Sequence, residues 1–393
     1  MTSDQPGDPA QEPVLPRSDP AAEQTSVVST LELFFDLVFV FTITQLTAVV
    51  DHHPGPIAVA QASLTLIVLF WMYAGFTWLT NVTGAAGVGR RLTVLAAMAA
   101  LFICSLAVPE AFGTDGLVFG IAFLVLTLIH VIGFRLFGDE AGRRAIIRIA
   151  PVNIGAALLI LLAGFTDSNW DWLLWGLAAA VYLAALLGRR ASRGFTIHSD
   201  HFAERHGLMI LIVLGESLIS VGVAASGQQL TGRLVIGALC GFVCIAALWW
   251  AYFVGDDEAA AQRMAELDES SKARFALWGY DLTHLLMIAG IIGVAAGTRL
   301  GLPDLLLPAE QPGAILIAAG SALYLLGTAW FRSAFHFAPA GPRLVGAAGC
   351  LLTMFVGTGW GTGQQLAAVA VVVAAATAAP GLLHRRRSQS AAR

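Results

Sequence analysis

The feature that most constrains the fold of this chain is a succession of long apolar runs separated by short polar connections. A helix needs about 20 apolar residues to cross the hydrocarbon core of a membrane. Twelve runs come close to or exceed that length. They predict transmembrane helices, numbered here as segments 1 to 12, at 31–50, 57–79, 92–108, 117–137, 146–165, 171–187, 207–226, 233–254, 276–298, 313–331, 343–359 and 363–383.

The composition agrees with a membrane protein. Only 12% of the 393 residues are charged and 57% are hydrophobic, whereas soluble domains carry about 25% charged residues. Backbone polar groups in lipid must be bonded internally, and the runs lack the two-residue alternation of barrel strands. The sequence therefore predicts an all-α, polytopic membrane helix bundle that has the lipid bilayer as a partner.

Several kinds of site are disfavoured by the residue types. A single lysine, Lys272, and the lack of a basic stripe argue against a nucleic-acid partner. The four cysteines lie inside apolar runs without a CxxC pair, so we expect neither a disulfide framework nor a cysteine-bound metal. The hydrolase motifs HExxH and GxSxG are absent. We predict no catalytic residue, no metal and no cofactor.

Arginine and lysine concentrate in every second connection, which predicts that these connections face the cytoplasm. The opposite connections hold only Arg233 and Arg299. Both termini are then expected in the cytoplasm. A disordered tail rich in Pro, Asp, Gln and Ser is predicted at 1–28, and a basic tail at 384–393.

Matches between distant stretches favour an internal duplication. LFWMY in segment 2 matches LWWAY in segment 8, 179 residues later, and Asp36 aligns with Glu216, 180 residues later. The matches occur in the same order, which favours a six-plus-six repeat; chance similarity between Trp- and Leu-rich helices is the alternative. We divide the membrane region into 29–226 (segments 1 to 7, including the start of the second repeat) and 227–383 (segments 8 to 12).

Carboxylates inside segment 1 are the first candidate functional residues. A charge near the centre of a membrane helix costs about 2.5–3.5 kcal/mol on insertion scales and usually faces a bundle interior. Glu32 and Asp36 lie one turn apart on the same helix face. We expect Glu32 at the cytoplasmic interface and Asp36 deeper, where it needs a partner or an ion. Anchoring of the helix by an arginine is the structural alternative.

Segment 7 carries the second group of polar residues. The stretch HFAERHG leads into it, and we expect these residues at a cytoplasmic entrance where they pair with one another. Glu216, in the sequence Gly215-Glu216-Ser217, is expected near the membrane midplane as an ion or proton site. The entrance residues are His201, Glu204, Arg205, His206 and Gly207.

Segment 9 contains Asp281 and His284, which are neighbours on one helix face. Histidine changes its charge near neutral pH, so the two residues are a candidate proton relay. A polar pair that joins segment 9 to a neighbouring helix is the alternative.

Three stretches give the chain a resemblance to a known family. They are ELFFDLVFVFTITQL in segment 1, HFAERHGLMILIVLGESLISV leading through segment 7, and YDLTHLLMIAGIIGVAAG in segment 9. In them the chain resembles the bacterial low temperature requirement A (LtrA) family, over about residues 29–383. The resemblance implies a multi-pass protein of the bacterial inner membrane, linked by name to growth in the cold. Its motif residues fall here on Glu32, Asp36, Glu204, Gly207, Gly215, Glu216 and His284.

Three functions are compatible with these features. The leading hypothesis is a transporter or channel, not an enzyme, that uses Asp36 and Glu216 as sites for a small cation or a proton. A non-catalytic scaffold or low-temperature stress factor is the first alternative, with the acidic connection 255–275 binding a cytoplasmic protein. The pattern of that connection is more typical of a solvated surface helix than of a binding segment. An intramembrane hydrolase is the remaining alternative.

Overall fold

The computed structural model describes residues 28–84, 87–166, 170–188, 193–225, 229–301, 307–337 and 340–391. Over these ranges the chain is almost entirely helical and contains no strand. A short 3₁₀ turn lies at Val108–Glu110, and a π-helix lies at Ala276–Asp281. The helices are α1 (Thr30–His52), α2 (Pro56–Thr83), α3 (Val88–Ala107), α4 (Gly116–Phe137), α5 (Glu140–Ala163), α6 (Trp170–Leu187), α7 (Ser199–Ala225), α8 (Gly232–Phe253), α9 (Asp256–Ala265), α10 (Glu269–Phe275), α11 (Leu282–Gly301), α12 (Gln311–Ala334), α13 (Gly341–Leu352), α14 (Met354–Gly359) and α15 (Thr362–Ala391).

Eleven helical stretches in the described part of the chain are long and apolar enough to cross a membrane. They coincide with eleven of the twelve predicted segments, and the all-α polytopic bundle is confirmed. The predicted tail at 1–28 lies outside the described residues except for its last residue. At the other terminus, α15 extends to Ala391, into the predicted basic tail. The internal repeat stays a prediction.

Two ends of the bundle can be named by the residues of α1. Its first turn carries Glu32, and its last turn carries Asp51. We call these the Glu32 end and the Asp51 end. Helix α1 begins at the Glu32 end because Ser29 and Glu32 form a capping box: the Ser29 hydroxyl accepts from the Glu32 N–H, and the Glu32 carboxylate accepts from the Ser29 N–H.

Segment 11 is not one helix but two, α13 and α14, which meet at Thr353. The Thr353 hydroxyl donates to the carbonyl oxygen of Cys350 at 2.6 Å, a side-chain bond of the kind that bends helices. The pair still runs the length of the bundle. Arg343 near its start binds Asp256 at 2.8 Å, just after α8, and Thr362 just after its end packs against Gly301, the last residue of α11.

Helix α11 lies at the centre of the bundle, and 83% of its most apolar stretch is buried. Facing glycines bring it close to α12: a Cβ at Gly290 or at Gly297 would lie 2.6 Å from the carbonyl oxygen of Gly320 or Gly313. Small residues permit such close approach of membrane helices. Its other faces contact α1, α2 and α7, which together form the surroundings of the buried polar residues.

The acidic connection between α8 and α11 folds into α9 and α10. Its charges pair locally, for instance Lys272 with Glu269 at 2.8 Å. Asp268 caps α10 by accepting hydrogen bonds from Ser270 and Ser271, and these bonds hold the pKa of Asp268 below its usual range. A protein partner of this connection stays a prediction.

Candidate functional site

A group of buried ion pairs lies at the Glu32 end, between α1, α2 and α7. Helix α7 begins at Ser199, earlier than predicted, so the HFAERHG stretch lies within the helix rather than before it. Its Arg205 donates to Glu32 at 3.0 Å and to Asp36 at 2.9 Å. All three side chains are almost fully buried. One guanidinium thus faces two carboxylates.

His201 joins this group without adding a charge. Asn81 on α2 is fixed by two hydrogen bonds to the backbone of His198: its Nδ2 donates to the carbonyl oxygen, and its Oδ1 accepts from the N–H, both at 2.9 Å. The same Nδ2 lies 3.2 Å from His201 Nδ1, which must therefore accept. The proton of the imidazole is then on Nε2, 3.2 Å from Glu32. With His201 neutral, the group has one uncompensated negative charge.

Within this group, Asp36 has a carboxylate oxygen that no donor in the described ranges satisfies. Its Oδ1 accepts from Arg205 and, at 2.8 Å, from the Tyr73 hydroxyl. Its Oδ2 is buried and has no hydrogen-bond partner among the described residues. A buried carboxylate oxygen without a donor is unfavourable by about 1–3 kcal/mol or more. A proton or a small cation at Oδ2 would remove this penalty and neutralise the group.

His206 and Asp281 form a second buried pair, which shares one proton. His206 Nδ1 lies 2.9 Å from the carbonyl oxygen of Phe202, and its Nε2 lies 3.1 Å from Asp281 Oδ1. Because a carbonyl oxygen only accepts, Nδ1 carries a proton. A second proton must lie between Nε2 and Asp281, since two acceptors at that distance would repel each other. Trp78 donates to the other carboxylate oxygen at 2.9 Å.

His284 packs against the ring of His206. The ring centroids of the two histidines are 4.9 Å apart. His284 Nδ1 donates to the carbonyl oxygen of Tyr280 at 2.8 Å, and its Nε2 is 3.0 Å from the Tyr252 hydroxyl, which donates to it. The structure shows no hydrogen bond between Asp281 and His284, so the predicted relay partners are connected only through the ring of His206.

The π-helix sets the position of Asp281, its last residue. Its wider turns are rare and occur often at functional sites. A Cβ at Gly279, inside the π-helix, would lie 2.9 Å from the ring of Phe335, so this segment is packed closely against the end of α12. The close packing holds the carboxylate of Asp281 towards α2 and α7.

A second charged cluster lies at the Asp51 end and joins α1 and α7 to α11. Arg299 of α11 binds Asp51 of α1 and Glu216 of α7, each at 3.2 Å. Ser220 donates to Glu216 at 2.8 Å. Glu216 was expected near the midplane. Its partner Arg299 lies in the last turn of α11, and the depth of Glu216 in the membrane stays a prediction.

The other predicted motif residues lie outside both clusters. Glu204 is exposed and accepts a hydrogen bond from the backbone N–H of Val28 at 3.3 Å. A Cβ at Gly207 would make only an ordinary contact with Phe253, and one at Gly215 would meet open space. Neither glycine has a packing requirement that explains its place in the motif.

Sequence reasoning did not identify the aromatic residues that bind the network. Tyr73, Trp78 and Tyr252 look like apolar core positions in the sequence, yet each forms a hydrogen bond with a charged or titratable side chain of the network. One signal was available: Tyr73 and Tyr252 are the last residues of the matching LFWMY and LWWAY stretches.

Comparison with known proteins agrees with this architecture. The sequence model of the bacterial low temperature requirement A protein (LtrA) family matches residues 27–379. The chain is also 27% identical, over 314 residues, to a protein of Rhizobium meliloti (strain 1021) described as uncharacterized protein RA0937. That match covers 77% of this chain and 76% of the relative. The chain therefore belongs to the bacterial low temperature requirement A (LtrA) family of multi-pass membrane proteins.

Proposed function

We propose that this protein is a secondary transporter that couples substrate movement to the binding of a proton or small cation at the Glu32 end. The observation that supports it most is Asp36: a buried carboxylate with a free Oδ2, in a group that carries one uncompensated negative charge. Intramembrane charges of this kind usually mark ion pathways or proton relays. The shared proton of His206 and Asp281 supplies a second exchangeable site nearby on α7 and the π-helix.

The two charged clusters suggest how binding would be coupled to movement. Both involve α1 and α7; the cluster at the Glu32 end also reaches the π-helix that precedes α11, and the cluster at the Asp51 end reaches the last turn of α11. Neutralising Asp36 leaves Arg205 balanced by Glu32 alone, which changes the charge balance of the contact between α1 and α7 at the Glu32 end. The Arg299 cluster would hold the same helices together at the other end. Alternating access through relative motion of such helix groups is the usual mechanism of secondary transporters.

The membrane in which the protein lies, and its orientation there, are part of the same proposal. The basic connections and the basic C-terminal stretch lie at the Glu32 end, so we place this end in the cytoplasm and the protein in the bacterial inner membrane. The proton or cation then binds from the cytoplasmic side in the conformation described here.

Ion flux into liposomes tests the proposal. The purified protein is reconstituted into liposomes that enclose a pH-sensitive dye. Proton movement is then recorded under imposed proton, potassium and sodium gradients. Asp36→Asn keeps the shape of the side chain and its acceptor for Arg205, but removes the charge. We expect flux by the wild type and at least a tenfold loss in Asp36→Asn.

The matched control is Asp115→Asn, which removes a carboxylate that forms no capping hydrogen bond and lies outside both clusters. It should retain the wild-type flux. Wild-type flux in folded Asp36→Asn would remove Asp36 from the coupling site. The complete absence of flux in the wild type under all three gradients would overturn the transporter proposal and favour a scaffold.

A further inference from the structure

A groove of about 790 Å³ opens between α1 and α7. Most of its wall is apolar, with Leu37 and Phe41 on α1 and Ile212 and Ile219 on α7. Leu37 is 54% exposed and Ile219 is 66% exposed, so the groove is open on its outer side, which faces lipid in a membrane. Along α1 it extends from Leu37 to Asp51, which is about 21 Å at the rise of an α-helix. That length is about two-thirds of a hydrocarbon core.

The groove becomes charged where it reaches the Asp51 end. Asp51, Glu216 and Arg299 all line it, so two carboxylates face one guanidinium. Glu216 is only 7% exposed, and its Oε2 has no hydrogen-bond partner among the described residues. Asp51 Oδ1 also has no hydrogen-bond partner in the described part of the chain, and His52 Nε2 lies 3.6 Å from it.

These free oxygens decide the charge of a ligand that fits there. Both terminal nitrogens of Arg299 already donate to carboxylates, and the two carboxylates outnumber the one guanidinium, so the cluster disfavours an anionic head group. Two free carboxylate oxygens accept donors, and the surplus negative charge favours a cation. A metal ion would use only this end of the groove. The apolar wall of about 21 Å calls for a ligand with a hydrocarbon tail.

We propose that the groove binds an amphiphile with a primary ammonium head and a linear apolar tail. The ammonium group donates to Glu216 Oε2 and Asp51 Oδ1, and the tail lies along α1 and α7. As the substrate class of the transporter, this inference rests on the proposed function. As a binding site, it is independent of ion flux.

Photolabelling tests the binding site directly. The wild-type protein is placed in phosphatidylglycerol nanodiscs, which lack an ammonium group, and exposed to a sixteen-carbon primary amine that carries a diazirine in its tail. Labelled residues are mapped by mass spectrometry. We expect labelling of α1 and α7 along the groove, with competition by unmodified hexadecylamine and at least tenfold weaker competition by hexadecanol or hexadecanoate.

Two variants test the contact with the head group and the contact with the tail separately. Glu216→Gln removes the charge that holds the ammonium group and should reduce groove labelling about tenfold. Ile219→Trp narrows the groove at an exposed position without changing its charge, and it should reduce labelling as well. Glu110→Gln removes an exposed carboxylate outside the groove, at the same end of the bundle, and should label like the wild type.

Equal competition by the alcohol and the amine, or undiminished labelling in folded Glu216→Gln and Ile219→Trp, would overturn the inference whatever the flux assay shows. Amine-specific labelling in a protein that moves no ion would support the groove and refute the transporter. Asp36→Asn should abolish flux and leave labelling intact, so the two proposals fail separately.

Discussion

At the scale of single residues, the balance of charge around Arg205 controls the buried group at the Glu32 end. Glu32 and Asp36 lie on successive turns of α1, and both reach the same guanidinium. Removing the only cation leaves two buried carboxylates, whereas removing one carboxylate leaves a balanced pair. The two kinds of substitution should therefore have opposite effects on stability.

We expect Arg205→Met to lower the free energy of unfolding by about 3–5 kcal/mol, the usual cost of breaking a buried ion pair. Asp36→Asn should leave it unchanged or raise it. The double variant should recover about 1–3 kcal/mol of the Arg205→Met loss, because the two side chains are in contact. Thermal unfolding of the four proteins in one detergent measures this cycle. Additive effects would show that Asp36 and Arg205 are not energetically coupled.

The sequence indicates which residues need partners but not which partners they have. The cost of a buried charge singles out Asp36 and Asp281 without knowledge of the fold. Their partners come from other helices, and the Trp78 that binds Asp281 lies on α2, more than 200 residues away in the chain. Such pairings depend on how the helices pack. The sequences of α2 and α7 do not indicate which helices become neighbours.

At the scale of elements, the glycines between α11 and α12 determine how close these helices come. A Cβ at Gly320 would lie 2.6 Å from the carbonyl oxygen of Gly290 and 2.7 Å from the backbone nitrogen of Val294. Backbone atoms cannot move aside as flexible side chains do. A side chain at this position must therefore separate the two helices.

We expect Gly320→Ala to destabilise the protein by about 1–3 kcal/mol through overpacking. Because α11 continues directly from the π-helix that carries Asp281, the separation should also weaken the contact between His206 and Asp281. Gly176→Ala on α6 is the matched control, since a Cβ there meets nothing within 4 Å, and it should be neutral or slightly stabilising. Unfolding temperatures of both variants check this, and equal values would contradict the close helix contact.

The cap of α10 gives a local test outside the membrane segments. The hydrogen bonds from Ser270 and Ser271 lower the pKa of Asp268 in the folded state. Their stabilising effect is therefore complete above the unfolded value of 3.8 and is lost as the pH falls through the lower folded-state pKa. At pH 7, Asp268→Ala should increase amide hydrogen exchange in α10, and Asp268→Asn should not, because Asn caps equally well. Equal exchange in all three proteins would contradict the cap.

Segment 11 shows where hydropathy is insufficient for predicting an element. Its 17 predicted residues are apolar enough for one helix, but Thr353 bends the chain by bonding to Cys350. Glycines at 357, 359 and 361 follow, and the carbonyl oxygen of Gly357 accepts from Ala309 outside the helix. Hydropathy measures transfer to lipid, whereas this break depends on side-chain bonding and on a neighbouring connection.

At the scale of the whole molecule, the number of crossings decides where the C-terminus lies. Helices α13 and α14 together span 341–359, about 28 Å at the rise of an α-helix, and a hydrocarbon core is about 30 Å thick. Their start is held at the Glu32 end by Arg343 and Asp256, and Thr362, three residues after their end, packs against Gly301 at the Asp51 end. The broken pair is thus positioned to act as a twelfth crossing.

If the pair crosses the membrane, both termini lie on the same side, and we expect both on the cytoplasmic side. The test replaces the four native cysteines and introduces single cysteines at Ser18, Ser390 or Thr114, which lies in the connection at the Asp51 end. A membrane-impermeant maleimide should label the first two only in inside-out vesicles and the third only in right-side-out vesicles. Labelling of the two tails from opposite sides would mean that α13 and α14 re-enter without crossing. In that case α15 would cross from the cytoplasmic side to a C-terminus on the opposite side, and the orientation drawn from the basic connections would fail for the last two segments.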